Sequence, residues 1–305
     1  MKKLLITGIS GLLGSNLAYY FKDKYDVTGF YHKNRVAHKD IKMHAVDMTR
    51  PDDVKHNIDL CQPDIIIHCA ALADIDQCEE QPELARRCNV ETVGHIVNAI
   101  KGSPTKLIFI SSDAVYDGKK DKYCEDDAVG PLSVYGRTKV GGEQQALKAP
   151  RGLVARTNLI GWNILEKRHL AEWMIHELSA GRPIKGFTDV YFAAIYTFKL
   201  AELLAAAMAV DLEGVYHFAG SNAISKHDCA VLLAELYGLD KKLIEPISVD
   251  QFKLKAKRAK NLILDVSKLQ TTLHRNIPTV EESLRRFHAD DRDGLPQRLK
   301  REFAV

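Results

Sequence analysis

No stretch of this chain approaches the roughly 18 consecutive apolar residues that a bilayer crossing requires, so a membrane-spanning helix is not expected. The apolar start Leu4-Leu5-Ile6 is interrupted by Gly8, Ser10 and Gly11 before a leader-type cleavage site could follow, and it reads as a first strand. The six cysteines (Cys61, Cys69, Cys78, Cys88, Cys124 and Cys229) include no CxxC pair and match no zinc spacing. A chain of 305 residues needs no disulfide staple, so the expectation is reduced thiols in a cytoplasmic protein without a bound metal. The net charge of +3 lacks the concentrated basic patch of a nucleic-acid binder. Internal repeats and low-complexity segments are also missing. With 46% hydrophobic and 27% charged residues, the composition fits one large globular domain, or a large one carrying a smaller appendage.

Short apolar runs are what the first half does contain. Segments 3–7, 26–31, 42–46, 64–69, 106–111 and 153–157 read as strands, and Ile65-Ile66-Ile67 and Leu107-Ile108-Phe109-Ile110 are apolar without alternation. Such runs suit strands covered on both faces of a parallel sheet. Between them lies helical periodicity, as in Leu13, Leu17 and Phe21, and Pro51 opens a helix for which Thr49 is the expected cap. Strands alternating with helices predict a doubly wound α/β domain over residues 1–160. Beyond it the rhythm loosens. Helices near 169–180, 197–210, 226–237 and 279–288 predict a smaller, mostly helical lobe over 161–305, not cleanly separated from the first, that shapes a substrate pocket.

Directly after the first strand stands Thr7-Gly8-Ile9-Ser10-Gly11-Leu12-Leu13-Gly14, a GxxGxxG turn opening into a helix. A glycine turn in that position lets backbone approach a pyrophosphate, and the helix N-terminus offers N–H donors and a positive dipole end. The second strand should end at the adenosine ribose, where an acid would favour a free 2′-hydroxyl. The chain instead has Tyr31-His32-Lys33-Asn34-Arg35, with no acid until Asp40. Lys33 and Arg35 fit a 2′-phosphate, which favours NADP(H) over NAD(H). Asp47, before Met48, is placed to accept from the adenine amino group.

Tyr135 and Lys139 stand one helical turn apart in YGRTK. A free tyrosine, with a pKa of about 10, is a poor acid–base group at neutral pH. An ammonium about 4 Å away is worth roughly 4 kcal/mol at an effective dielectric of 20, enough to bring the phenol down towards about 7. Ser111-Ser112-Asp113 ends the fifth strand, and in an open parallel sheet ligands bind at the carboxyl ends of strands. Ser112, Tyr135 and Lys139 are therefore expected to converge beside a nicotinamide.

The chain resembles the extended short-chain dehydrogenases/reductases over nearly its full length, through TGISGLLG, HCAA (68–71), SSDAVYDG (111–118) and YGRTK with the following Glu143. SSDAVYDG and GVYHFAG (214–220) are similar to the dTDP-4-dehydrorhamnose reductase branch. That resemblance implies that Tyr135 protonates a ketone oxygen, that Ser112 hydrogen-bonds the same oxygen, and that Lys139 holds the ribose and lowers the tyrosine pKa. It further implies cofactor contacts from Met48, Cys69, Ala70, Ala71, Asn89 and Ser111, substrate contacts from Ala73, Asp113 and Asn158, and a homodimer. The pocket departs from the branch: Arg156-Thr157-Asn158-Leu159 lacks the tryptophan packed near the sugar, and Ala193-Ala194-Ile195 replaces Ser-Pro-Thr. For the diphosphate of a nucleotide sugar, Arg182, Lys185 and the basic run 253–260 are available, with Arg258 the expected ligand.

Ala114 stands where the related 4,6-dehydratases carry a glutamate, which argues against dehydration. An NAD-retaining epimerase fits the Lys33/Arg35 loop less well. The contrasting class is a non-catalytic NADP-binding regulatory subunit, similar to that of methionine adenosyltransferase. A reductase consumes cofactor with a 4-keto sugar, whereas a subunit copurifies with a partner.

Overall fold

Apolar runs covered on both faces form the centre of one parallel sheet in the computed structural model, which describes residues 1–252 and 255–303. The strands β1 (Lys3–Thr7), β2 (Asp26–Tyr31), β3 (Lys42–Ala45), β4 (Ile65–His68), β5 (Lys106–Ser112) and β6 (Gly152–Thr157) match the expected segments to within a residue at each end. Later in the chain come β7 (Leu159–Ile160), β8 (Ile184–Phe187), β9 (Tyr191–Phe192), β10 (Ile195–Tyr196), β11 (Gly214–His217), β12 (Ile224–Ser225), β13 (Ile244–Ile247) and β14 (Asn261–Leu262). The large sheet has the order β11-β6-β5-β4-β1-β2-β3, with every neighbouring pair parallel. This is the doubly wound Rossmann arrangement with one added strand, and its order reverses between β1 and β4.

Connecting and flanking helices are α1 (Leu12–Phe21), α2 (Pro51–Cys61), α3 (Ile75–Glu80), α4 (Pro82–Arg86), α5 (Thr92–Ala99), α6 (Val134–Ala146), α7 (Leu170–Ser179), α8 (Thr197–Ala209), α9 (Lys226–Tyr237), α10 (Ser267–Leu273), α11 (Val280–Arg292) and α12 (Leu295–Glu302). Successive strand residues face opposite ways. Leu5, Ile66, Leu107 and Val154 therefore meet the buried side chains of α2 and α5, such as Val54 and Ile96. Leu4, Ile6, Ile65, Ile67 and Ile108 share the other face with Leu13 and Leu17 of α1 and Leu200 and Leu204 of α8. That second cluster runs on without a break into α9 and α11 through Leu233 and Phe287.

Two features lay beyond sequence reading. The seventh strand, β11, comes from well past residue 160, so the nucleotide sheet is completed by the second half of the chain. The second half also carries two small sheets of its own, β12-β9-β14 and β13-β8, among its helices. Asn16 on α1 ties the halves together: its amide donates to the Trp162 carbonyl (2.8 Å) and accepts from the Thr197 hydroxyl (2.7 Å). Thr49 does not cap α2. Its hydroxyl turns back to Asp47 (2.7 Å), and Arg50 occupies the cap position without a side-chain bond. No described helix is long and apolar enough to cross a membrane.

Candidate active site

The turn between β1 and α1 lies at the point where the strand order reverses. Gly8 has φ +65°, and a Cβ there would lie 2.7 Å from the backbone nitrogen of Ala70 in the loop after β4. A Cβ at Gly14 would strike the Gly8 carbonyl oxygen and lie 2.7 Å from Ile9 Cα. Ser133, Ser225 and Thr279 cap α6, α9 and α11 with their hydroxyls, but α1 begins at Gly11 with no side-chain cap. Its first-turn N–H groups, on Leu12, Leu13 and Gly14, are thus left for an external anion. Leu12 and Leu13 bury their side chains, so only their backbone can serve a ligand, and Ser10 is buried beside them. Gly14→Ala is expected to weaken NADPH binding at least tenfold and to lower the thermal midpoint, as followed by ligand titration and calorimetry.

After β2, Tyr31 is half-buried, while His32, Lys33 and Arg35 are exposed. Neither Lys33 nor Arg35 has an ion-pair partner among the described residues. Asp47 accepts from the Thr49 backbone (3.0 Å) and hydroxyl (2.7 Å), and that hydroxyl bond leads in holding its carboxyl below the usual range. Met48 is buried, with its carbonyl 3.0 Å from His95 Nδ1.

Across the reversal point, His68 closes β4 with Nδ1 2.7 Å from the Thr7 hydroxyl. Burial, reinforced by the charge of Lys139, pushes its pKa down to about 3, so it is a neutral strut. Cys69 and Ala70 follow, half-buried, with Ala70 N–H donating to Thr7 Oγ1 (3.3 Å), and Ala71 and Ala73 are exposed. Asn89 is a buried latch, not a helix-surface residue. Its amide accepts from Leu72 N–H (2.8 Å) and donates to the Leu72 carbonyl (3.1 Å) and to Thr138 Oγ1 (2.9 Å). The side chain thereby fixes the loop after β4 to α6, and its polar atoms are committed there.

Ser112 ends β5, with its hydroxyl accepting from Ala114 N–H (3.1 Å) and donating to Asp113 (3.0 Å). Capped by Ser133, α6 brings Tyr135 to face Ser112, and it buries Lys139 to 3% exposure. The lysine corrects the sequence expectation. Its Nζ donates to the Ile110 carbonyl (2.6 Å) and lies 4.2 Å from the Phe109 ring centroid. Burial therefore dominates at Tyr135 and raises its pKa, opposed by the Ser112 hydroxyl, with no lowering by Lys139. The same burial brings Lys139 down to about 8, while Glu143 favours its charged form.

Glu143, one turn beyond Lys139, anchors a buried network that sequence reading missed. It takes the Ser111 hydroxyl (2.5 Å) and two parallel bonds from Arg156 of β6 (3.0 and 2.8 Å). Arg156 donates onward to Tyr116 Oη (2.6 Å), which donates to the Cys124 carbonyl (2.8 Å) and lies 2.9 Å from His217 Nε2 on β11.

On the substrate side, Asn158 donates to the buried carboxyl of Asp113 (2.5 Å), whose pKa burial raises. Arg258 reaches this region but also pairs with Asp76 (3.2 Å). Arg182 is spent on Glu177 at the surface (2.5 Å). In the basic run, Lys255 meets Glu80, Lys260 meets Asp189 and Asp250, and Lys253 lies outside the described residues. Lys226 at the start of α9 was not anticipated, since a single lysine behind a serine cap carries no motif.

Comparison with known proteins bears on this geometry. A probable low-salt glycan biosynthesis reductase of Haloferax volcanii is 29% identical over 93% of this chain and 96% of its own. Methionine adenosyltransferase 2 subunit beta of Mus musculus is 29% identical over 88% and 82%. The crystal structure of dTDP-4-dehydrorhamnose reductase from Bacillus anthracis in complex with NADP superposes with a TM-score of 0.85 at 26% identity, over 95% of this chain and 100% of that one. The model of the RmlD substrate binding domain matches residues 1–292, and the chain belongs to that family.

Proposed function

We propose that this protein is an NADP(H)-dependent reductase of a nucleotide-linked 4-keto-6-deoxy sugar, of the dTDP-4-dehydrorhamnose reductase type. The observation that carries this reading is the packing of α6, with Tyr135 and Lys139 one turn apart, against β5 with Ser112 at its carboxyl end, and the uncapped start of α1 across the reversal point. The fit for NADP rests on that uncapped helix, on the glycine turn packed against Ala70, and on two exposed cations with no acid beside them at the end of β2.

When bound, NADPH supplies a hydride to the carbonyl carbon. Tyr135 holds the proton for the carbonyl oxygen, and its burial keeps the phenol protonated at neutral pH until it is needed. Ser112 donates to the same oxygen once its proton turns from Asp113. With a pKa of about 8, Lys139 carries a charge at neutral pH, available to ribose hydroxyls and to the tyrosinate left after proton transfer. Asp113, held by Asn158 and Ser112, is the group assigned to the sugar hydroxyls in this reading.

The direct test is nicotinamide absorbance in the presence of a panel of 4-keto-6-deoxy nucleotide sugars, with turnover expected on at least one. Tight NADPH binding without turnover on any sugar would favour a binding subunit, in keeping with the methionine adenosyltransferase relative. For cofactor choice, Lys33→Ala with Arg35→Ala should raise the KM for NADPH about tenfold and leave that for NADH unchanged, since two exposed charge-assisted contacts are lost. Equal losses for both cofactors would remove the loop from 2′-phosphate recognition.

A further inference from the structure

An ammonium stands beside the substrate pocket that neither proton transfer nor cofactor binding uses. Lys226 opens α9, immediately after its cap Ser225, and its backbone N–H donates to the Val190 carbonyl (3.0 Å). The antiparallel pairing of β12 with β9 sets Ile224 against Phe192 and Ser225 against Tyr191, so the next side chain crosses the Phe192 ring. Nζ of Lys226 lies 3.3 Å from that ring's centroid. It has no ion-pair or hydrogen-bond acceptor among the described residues, although the charges of Asp113 and Arg258 both reach it.

Its charged neighbours are otherwise engaged. Asp113 is held by Asn158 and Ser112, and Arg258 is shared with Asp76. Phe192 is buried, and it supplies a π face but no proton acceptor. Lys226 is half-buried, and an ammonium without an acceptor there is costly; burial pushes its pKa down to about 8, so the surroundings favour an incoming negative charge. Arg258 adds its positive field at Lys226, although its own charge is paired with Asp76.

We propose that Lys226, seated on Phe192, is an oxyanion-binding residue of the substrate pocket, taking either the diphosphate or a sugar carboxylate of a nucleotide sugar. This deepens the reductase reading and rests on its substrate class. It also gives meaning to the altered pocket, in which Leu159 stands where the rhamnose branch has tryptophan and Ala193-Ala194-Ile195, directly after Phe192, replaces Ser-Pro-Thr.

The test compares wild type with Lys226→Met, which keeps a long side chain over Phe192, and with Lys226→Arg, which keeps the charge. Calorimetry of the full chain saturated with NADPH measures the affinity for dTDP and for a nucleotide-linked 4-keto hexuronate. Lys226→Met is expected to lose about ten- to a hundredfold in affinity, the worth of one charge-assisted contact, while Lys226→Arg retains most of it and NADPH affinity is unchanged in both. Loss for dTDP identifies the diphosphate as the oxyanion, whereas loss confined to the hexuronate identifies the carboxylate. Equal binding of both probes by wild type and Lys226→Met overturns the role of Lys226. Wild type that binds NADPH but neither probe overturns the nucleotide-sugar reading itself.

Discussion

Tyr135→Phe should lower turnover by about a hundred- to ten-thousandfold while leaving NADPH affinity close to wild type, because general acid–base groups contribute in that range. The substitution removes only the hydroxyl that faces Ser112, and the ring stays packed against the cluster around Cys78 and Val134. Folding should therefore survive, and the loss should fall on kcat rather than on KM for the cofactor. Steady-state rates and cofactor titration on the same preparation check both halves. A phenylalanine variant within tenfold of wild type would place the proton source elsewhere. Asp113 would then be the group to examine, since burial raises its carboxyl above the ordinary range and Asn158 holds it beside Ser112.

Breaking the buried ion pair should have the largest effect on stability. Glu143 and Arg156 are 4% and 5% exposed, and they exchange two bonds at 3.0 and 2.8 Å. Removing one member strands the other charge in the interior, which costs about 3–5 kcal/mol. Arg156→Met is therefore expected to lower the denaturant midpoint sharply and to release Tyr116, which loses its strongest donor. A paired Glu143→Leu, Arg156→Met variant should recover much of the loss, because well-packed apolar residues often replace a buried pair without penalty. Denaturation of the two singles and the double closes the cycle. Additive losses in the double would mean that the two residues do not act as a unit.

The parts legible in the sequence were those written in consecutive residues. Apolar runs located six strands, the glycine turn located the uncapped start of α1, and spacing singled out Ser112, Tyr135 and Lys139 as the proposed reaction centre. What escaped depended on distant neighbours. Arg156 meets Glu143 only because β6 lies beside β5 and α6 packs over both, a juxtaposition that no local window contains. Lys226 acquires meaning only through the register of β12 on β9. The direction of the Tyr135 shift was misjudged for a related reason. Spacing places Lys139 beside the phenol, but its ammonium donates its hydrogen bond to the Ile110 carbonyl, and burial then outweighs attraction.

The strand that completes the sheet limits how the molecule can be divided. Until residues 214–217 arrive, the outer edge of β6 offers unpaired N–H and C=O groups, the kind of edge that invites pairing with another chain. On the ribosome the nucleotide half must wait for much of the substrate half before that edge is closed. A chimera that exchanges substrate lobes between relatives at residue 160 would transplant this strand, and with it α8 and Thr197, which grips Asn16. A workable exchange has to keep 197–217 with the nucleotide sheet. The two halves are thus less like modules joined by a seam than like two hands with interlaced fingers.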